Sequence, residues 1–186
     1  MPNLKVIATT SICLGFLTTI TPSIGAQAAP LAKPLPGAFV CPFPDTPCSP
    51  PSYKFASYDL SFNLPKELKW QTAHNSNYFY AIILKSVKAI HPDLGDPNDD
   101  TECGGYFSET ERLKVQAKFP SRKVFASRQG CSMVWYNNVN EQYNFLAVYA
   151  GKTFGEAQKV LGKVKATGLF PDANIRKTQV VVDNGH

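Results

Sequence analysis

Histidine is scarce in this chain. The 186 residues include three, His74, His91 and His186, and none lies in a nucleophile motif. Neither G-x-S-x-G nor H-E-x-x-H occurs, so the signatures of α/β-hydrolases and of helical zinc proteases are missing. C-x-x-C is missing as well, and the cysteines do not have zinc-site spacing. No dense basic run is present. The 19 Lys and Arg and 14 Asp and Glu are scattered and leave a net charge of +5, so nucleic acid is not an expected partner. The extended apolar run, over 6–20, falls short of the ~20 residues that span a bilayer.

That apolar run carries the first positive signal. Lys5 precedes it, Pro22 breaks it, and Ala26-Gln27-Ala28 puts small residues where a signal peptidase reads. This is the layout of a secretory signal peptide over 1–28, with an uncleaved anchor as the competing reading. Cys13 lies inside the run behind Thr10-Ser11-Ile12, a poor lipidation signal, so a lipoprotein is not expected. The expected location is periplasmic or secreted, with no membrane span in the mature chain. Cleavage would remove Lys5 and lower the net charge from +5 to +4.

Four cysteines then remain: Cys41, Cys48, Cys103 and Cys131. An even number in an exported chain favours disulfides, and four allow three pairings. Cys41 and Cys48 flank the turn-rich Pro42-Phe43-Pro44-Asp45-Thr46-Pro47, which pairs them. Cys103 precedes the first expected helix, and Cys131 follows the next expected strand. In a right-handed crossover those points share one end of the sheet, which pairs them too. Closing that loop adds roughly 3–4 kcal/mol by chain entropy. With all four bridged, no cysteine nucleophile is left.

Residues 29–52 hold eight prolines and read as an extended arm. The arm is taken as 29–75, with a possible extra strand over 53–64, where Tyr58, Leu60, Phe62 and Leu64 share one parity. The folded domain is expected over 76–186 and contains two similar units. Phe79-Tyr80-Ala81-Ile82 and Phe145-Leu146-Ala147-Val148 each read as a strand. Ser108-Glu109-Thr110-Glu111 and Thr153-Phe154-Gly155-Glu156 each fit the capping box at a helix start. The helices are expected over 109–118 and 154–167, the second with Phe154, Ala157, Leu161 and Val164 on one face. Strands are expected after each, over 122–127, with a continuation past a bulge at Gly130 to 136 as an open alternative, and over 174–182. Strand, helix, strand, twice over, predicts an α+β fold. It is the βαββαβ ferredoxin-like split, with a four-stranded antiparallel sheet and two helices on one face.

Such a sheet leaves its second face open. Parity assigns Leu146 and Val148 to the helix-covered side, so Phe145, Ala147 and Tyr149 point to the open one. Phe79, Ala81 and Ile83 are the equivalent set on the first strand. Aromatic rings alternating with small residues would make a platform for a sugar chain or for another protein. The 53–64 segment or the arm could instead cover this face and make it core. Trp135 and Tyr136 are the next aromatic candidates, with packing as the competing role.

Asn144-Phe145-Leu146-Ala147-Val148-Tyr149-Ala150-Gly151, Gly155-Glu156-Ala157-Gln158-Lys159-Val160-Leu161 and Val164-Lys165-Ala166-Thr167-Gly168 together resemble one repeat of the SPOR domain, the sporulation-related repeat of bacterial cell-envelope proteins. Residues 77–83 resemble the opening strand of the other repeat. The resemblance implies binding of peptidoglycan glycan strands stripped of their stem peptides. Where that family carries a Gln and then a Gly, this chain has Ala81 and Ile83. The expected glycan-binding residues are Phe79, Ala81, Ile83, Phe145, Ala147 and Tyr149. The expected function is a non-catalytic, exported envelope protein. A protein-interaction module using the same face, or a small exported hydrolase, are the alternatives. The partners are glycan strands or an envelope protein.

His91, Asp93, Asp96, Asn98, Asp99, Asp100 and Glu102 crowd one loop. Its oxygens could hold Ca²⁺, but Thr101 and Phe107 stand where an EF-hand needs Gly and Glu. No metal and no cofactor is expected. Asp93 or Glu102 as a catalytic acid lacks a paired carboxylate.

Overall fold

The computed structural model describes residues 38–44, 48, 53–91 and 101–183, all within the unit Leu35–His186. The expected signal peptide lies outside the described residues, as do Asp93, Asp96, Asn98, Asp99 and Asp100. Among the described residues the elements are β1 (Ala73–Asn75), β2 (Phe79–Lys88), α1 (Glu109–Gln116), β3 (Val124–Ala126), β4 (Val134–Tyr136), β5 (Tyr143–Gly151), α2 (Phe154–Ala166), β6 (Asn174–Thr178) and β7 (Val180–Asp183). The fold is α+β, with two helices and two antiparallel sheets. The larger sheet has the order β3-β5-β2-β6 and the smaller the order β1-β7-β4.

The two copied strands form the centre of the larger sheet. Ala81 faces Tyr149, Ile82 faces Val148, and Ile83 faces Ala147. Past Ile83 the register shifts, so that Lys85 pairs with Leu146. A bulge of this kind re-aims the next side chain, and Lys85 Nζ meets the Glu111 carboxylate of α1 at 2.9 Å.

Both helices lie on one face of this sheet. Ile82, Leu84, Val124, Leu146 and Val148 pack there with Val115, Ala157, Val160 and Val164. In α2 the buried stripe is Ala157, Val160 and Val164, while Phe154 is half exposed. Its first turn has a full capping box. Thr153 Oγ1 accepts from Glu156 N, and the Glu156 carboxylate accepts from Lys152 N and Thr153 N. Gly151, at φ +119°, makes room for it, since a Cβ there would sit 2.7 Å from Glu156 Cβ. The shorter α1 departs from the expected box. Ser108 Oγ caps Glu111 N, but the Glu111 carboxylate goes to Lys85.

Apolar packing contributes little to α1, whose buried residues are Arg112 and Val115. Polar side chains dock it instead. Arg112 holds Glu109 at 2.6 Å and donates to Val124 O at 2.9 Å. The Gln116 amide donates to Phe119 O and Arg122 O and accepts from Val124 N. These bonds tie the helix to the entry of β3 and satisfy backbone groups that sequestration would otherwise leave unpaired.

The strand expected over 122–127 ends before its optional continuation, which is a separate strand, and the one expected over 174–182 is divided. β3 and β6 belong to the larger sheet, whereas β4 and β7 belong to the smaller. The second crossing takes a single residue, Gln179, whose Nε2 donates to Ser76 O while its backbone O accepts from Asn137 N. The smaller sheet lies over the far face of the larger one. Val134, Tyr136, Val180 and Val182 share one core with Phe79, Phe125 and Phe145.

The 53–64 segment completes that cover. It forms no strand and makes one isolated bridge, Phe62 to Val40. Leu60, Phe62 and Leu64 enter the far-face core. Tyr58, of the same sequence parity, packs against the helix-side core. The boundary expected at 75/76 therefore runs through a continuous structure. Val40 belongs to this core, and β1 pairs with β7.

Both expected disulfides are present. Cys41–Cys48 has a Cα separation of 5.6 Å and Cys103–Cys131 one of 5.8 Å. Both separations lie in the range a disulfide requires. The second bridge joins the two ends of the α1 crossover. No helix among the described residues is long and apolar enough to cross a membrane.

Candidate functional site

The six residues expected on an open face are core. Phe79, Ala81, Ile83, Phe145, Ala147 and Tyr149 are all buried, none more than 7% exposed. Parity placed them together correctly, but the smaller sheet and the 53–64 segment lie against them. Their rings interlock with the cover. Tyr136 of the cover meets Phe145 edge-on at 5.2 Å and stacks on neighbouring Phe125 at 5.3 Å, while within the larger sheet Phe79 lies 5.6 Å from Tyr149. Ile83 and Phe145 do reach the floor of a small hollow of about 160 Å³, rimmed by Asn140, Tyr143, Asn174 and Arg176.

A larger cleft, of about 640 Å³, opens beside β4. Its lining is His91, Gln129, Gly130, Cys131, Ser132, Met133, Trp135, Glu141 and Asp183. Alternation along β4 explains the aromatic wall. Val134 and Tyr136 point inward, and Tyr136 is fully buried with its phenol oxygen accepting from Leu60 N at 3.1 Å. Trp135, between them, takes the other face. Of the two neighbouring aromatics, one is therefore core and the other lines the cleft.

Several bonds hold this wall in place. Gln129 caps the outer edge of β4 as a strand would, its Oε1 accepting from Tyr136 N and its Nε2 donating to Tyr136 O. The Cys103–Cys131 bridge fixes the neighbouring turn, and Ile90 pairs with Gly104 across the base of the loop. The His91 ring lies over Gly130, where φ is +72° and an added Cβ would come within 2.9 Å of His91 Cδ2. A side chain at 130 would displace the imidazole from the cleft.

A second polar cluster gathers where the 53–64 segment meets the larger sheet. The Arg128 guanidinium is clamped between the Tyr58 and Tyr106 rings, 3.9 and 4.2 Å from their centroids. Such contacts stabilise a cation when water is excluded. Burial pushes the Asp59 carboxyl up to about 6, against the pull of Ala56 N–H, Lys123 and Arg128. Burial pushes the Lys123 ammonium down to about 8, and its Nζ donates to Ser57 O at 2.6 Å. The Arg112 guanidinium holds the Glu109 carboxyl below its ordinary value. These groups anchor the 53–64 segment to the larger sheet. Asp59, Lys123, Arg112 and Glu109 bond to backbone or to one another, whereas Arg128 Nε is buried without a hydrogen-bond partner and its guanidinium is held by the two rings.

The acidic loop contributes only its described ends to this picture. His91 lines the cleft, while Glu102 is exposed and is not part of the lining. Among the described residues no three His, Cys, Asp or Glu side chains form a metal-binding group. Gln129, Ser132, Met133, Glu141 and Asp183 carried no signal in the sequence because they come from three separate segments with no common motif. The usable signal was the parity of Val134-Trp135-Tyr136, in which two adjacent aromatics cannot share one face. Comparison with protein-family models, with curated proteins and with solved structures finds no match.

Proposed function

We propose that the chain is an exported, non-catalytic envelope protein that binds a glycan strand in the Trp135 cleft. The carrying observation is the cleft itself: one indole wall beside Glu141, Asp183 and Ser132 in a concavity of about 640 Å³. A sugar offers apolar C–H faces and a rim of hydroxyls. An aromatic wall suits the first, and carboxylate and hydroxyl groups suit the second. The platform expected on the larger sheet is core, so the glycan reading moves to this neighbouring surface. The order β3-β5-β2-β6, with both helices on one face, supports the ferredoxin-like split for the larger sheet. The smaller sheet is then an addition built from the strand extensions. Two disulfides fit an oxidising location outside the cytoplasm.

Sedimentation with cell-wall sacculi tests this reading. The protein should pellet with amidase-treated sacculi, whose glycan is stripped of peptide, and Trp135→Ala should remain in the supernatant while staying folded. Pelleting that persists unchanged in Trp135→Ala would overturn the cleft assignment. Release of soluble sugar would show that the protein is an enzyme after all.

A further inference from the structure

The cover of the far face stops short at one corner of the larger sheet. Residues directly opposite in an antiparallel pair project to the same side. Ala81 faces Arg176 and Ile83 faces Asn174, so Arg176 and Asn174 stand on the far side. Ile175, between them, packs on the helix side. Ser86 is paired with Phe145 and shares the far side too. These residues, with Val139 and Asn140 from the connection between β4 and β5, enclose the hollow of about 160 Å³. The hollow shares no lining residue with the Trp135 cleft.

Its floor and its rim differ in chemistry. Ile83 and Phe145 make the floor apolar, with Val139 beside them. The rim offers hydrogen-bond donors. Arg176 is the one ionised residue in the lining, and no carboxylate lines the hollow to neutralise it. Asn140 Oδ1 accepts from Gln142 N at 3.0 Å, which leaves the Nδ2 of that amide to donate. The hydroxyls of Ser86 and Tyr143 donate as well. A carboxylate accepts hydrogen bonds and donates none, and a guanidinium can hold it through two parallel N–H···O bonds. An apolar stem behind that carboxylate suits the floor. A cavity of about 150 Å³ holds a benzene molecule, so the hollow has room for roughly six heavy atoms.

We propose that this hollow binds a carboxylate carried on a short apolar stem. Two sources present that chemistry: a free short-chain acid, and the lactyl ether of a glycan whose stem peptide has been removed. The inference is carried by the hollow alone, so it stands whether or not a glycan occupies the Trp135 cleft. Inorganic phosphate shares the charge but would lay polar oxygens on Ile83 and Phe145.

Two-dimensional NMR of the folded, disulfide-bonded protein tests this by following the Ile83 and Val139 methyls and the Arg176 Nε–H. At neutral pH isobutyrate should shift all of them saturably. Isobutyramide, its neutral isostere, should bind about tenfold more weakly or worse, because it loses the charge-assisted bonds. Inorganic phosphate should leave the methyls unmoved. Arg176 is exposed on an edge strand, so Arg176→Gln should fold as the wild type does and lose the preference for isobutyrate. N-acetylmuramic acid and N-acetylglucosamine then separate the sources. Methyl shifts from the first sugar and not the second assign the carboxylate to a glycan. Shifts from isobutyrate with none from either sugar assign it to a free acid. Equal binding of isobutyrate and isobutyramide overturns the proposal, as does a preference that survives in Arg176→Gln or methyl shifts with phosphate. Absence of shifts from both isobutyrate and N-acetylmuramic acid also overturns it, and leaves the Trp135 cleft to be decided by the sacculus experiment.

Discussion

The two faces of the larger sheet are both buried, but by partners of different kinds. The helix side is aliphatic, with Ile82, Leu84, Leu146 and Val148 under Val115, Ala157, Val160 and Val164. Its cover comes from helices close in sequence to the strands they pack on. The far side is aromatic, with Phe79, Phe125, Phe145 and Tyr149 against Tyr136, Phe62 and Leu60. Its cover comes from three-residue and four-residue strands and an irregular segment. Periodicity reveals a covering helix because 8 or 13 residues repeat its signal. It cannot reveal a cover assembled from pieces that short.

The sharpest way to break the comparison is to truncate one face at a time. Phe145→Ala with Tyr149→Ala on the far side, and Leu146→Ala with Val148→Ala on the helix side, should both unfold the domain or nearly so. Deleting a buried ring typically costs ~3–5 kcal/mol and Leu→Ala ~2–5 kcal/mol, against a total stability of ~5–15 kcal/mol. Urea denaturation of the single variants gives the separate values. A far-side pair that stayed folded would mean that this face is not a second core.

The disulfides come next, because one belongs to each kind of cover. Cys103–Cys131 closes 28 residues of the α1 crossover and Cys41–Cys48 closes 7 residues in the arm. Loop entropy assigns roughly 3–4 kcal/mol to the longer and roughly 2–3 kcal/mol to the shorter. Replacing each pair with Ala and measuring the urea midpoint should reproduce that order. A larger loss at Cys41–Cys48 would show that the arm contributes more to the far-side cover than its contacts indicate.

How much of this was written in the sequence depends on the range of each signal. The copied strands, both helices and both disulfides are legible, because parity, capping residues and cysteine spacing act over a few residues. The pairing of β2 with β5 follows from the same pattern. The departure of the chain at Gln179 is not legible, since Ile175, Thr178 and the three valines make 174–182 β-rich enough to read as one strand. Nor is the contrast between Tyr58 and Leu60, two residues apart, which enter different cores as the chain turns at Ser57 and Tyr58 and bends at Asp59. At the candidate site, Trp135 was visible as an aromatic, but its direction required knowing that Tyr136 is satisfied by Leu60 N. His91, Glu141 and Asp183 converge only through tertiary structure.

Asp59 offers a way to address the far-side cover with pH. Burial raises its carboxyl from 3.8 to about 6, so the folded state holds this proton more tightly than the unfolded chain does. Its favourable contribution is complete below about 3.8 and is lost as pH rises through about 6. Asp59→Asn keeps an oxygen for Ala56 N–H and removes the titration. The variant should therefore gain stability relative to wild type as pH rises from 4 to 7, by an amount on the order of 3 kcal/mol. Parallel stability curves over that range would show that Asp59 is not the buried acid that the structure places there.

The smallest effects concern the helix side, where the two caps differ by one carboxylate. Ser108→Ala and Thr153→Ala should each cost about 1 kcal/mol, the usual value of an N-cap side chain. The following glutamates should not behave alike. Glu156 accepts from Lys152 N, Thr153 N and Thr153 Oγ1, and those bonds hold its carboxyl below its ordinary value. Its contribution is present above the unfolded value and is lost as pH falls through the lower folded one. Glu111 instead makes an exposed pair with Lys85, which screening reduces to ~0–1 kcal/mol. Glu156→Gln should thus destabilise measurably at pH 7 and lose its effect in acid, whereas Glu111→Gln should change little and vary with salt. Equal costs for the two would mean that the box at α2 adds nothing beyond its threonine. The resemblance between the two helix starts would then hold in energy as well as in sequence.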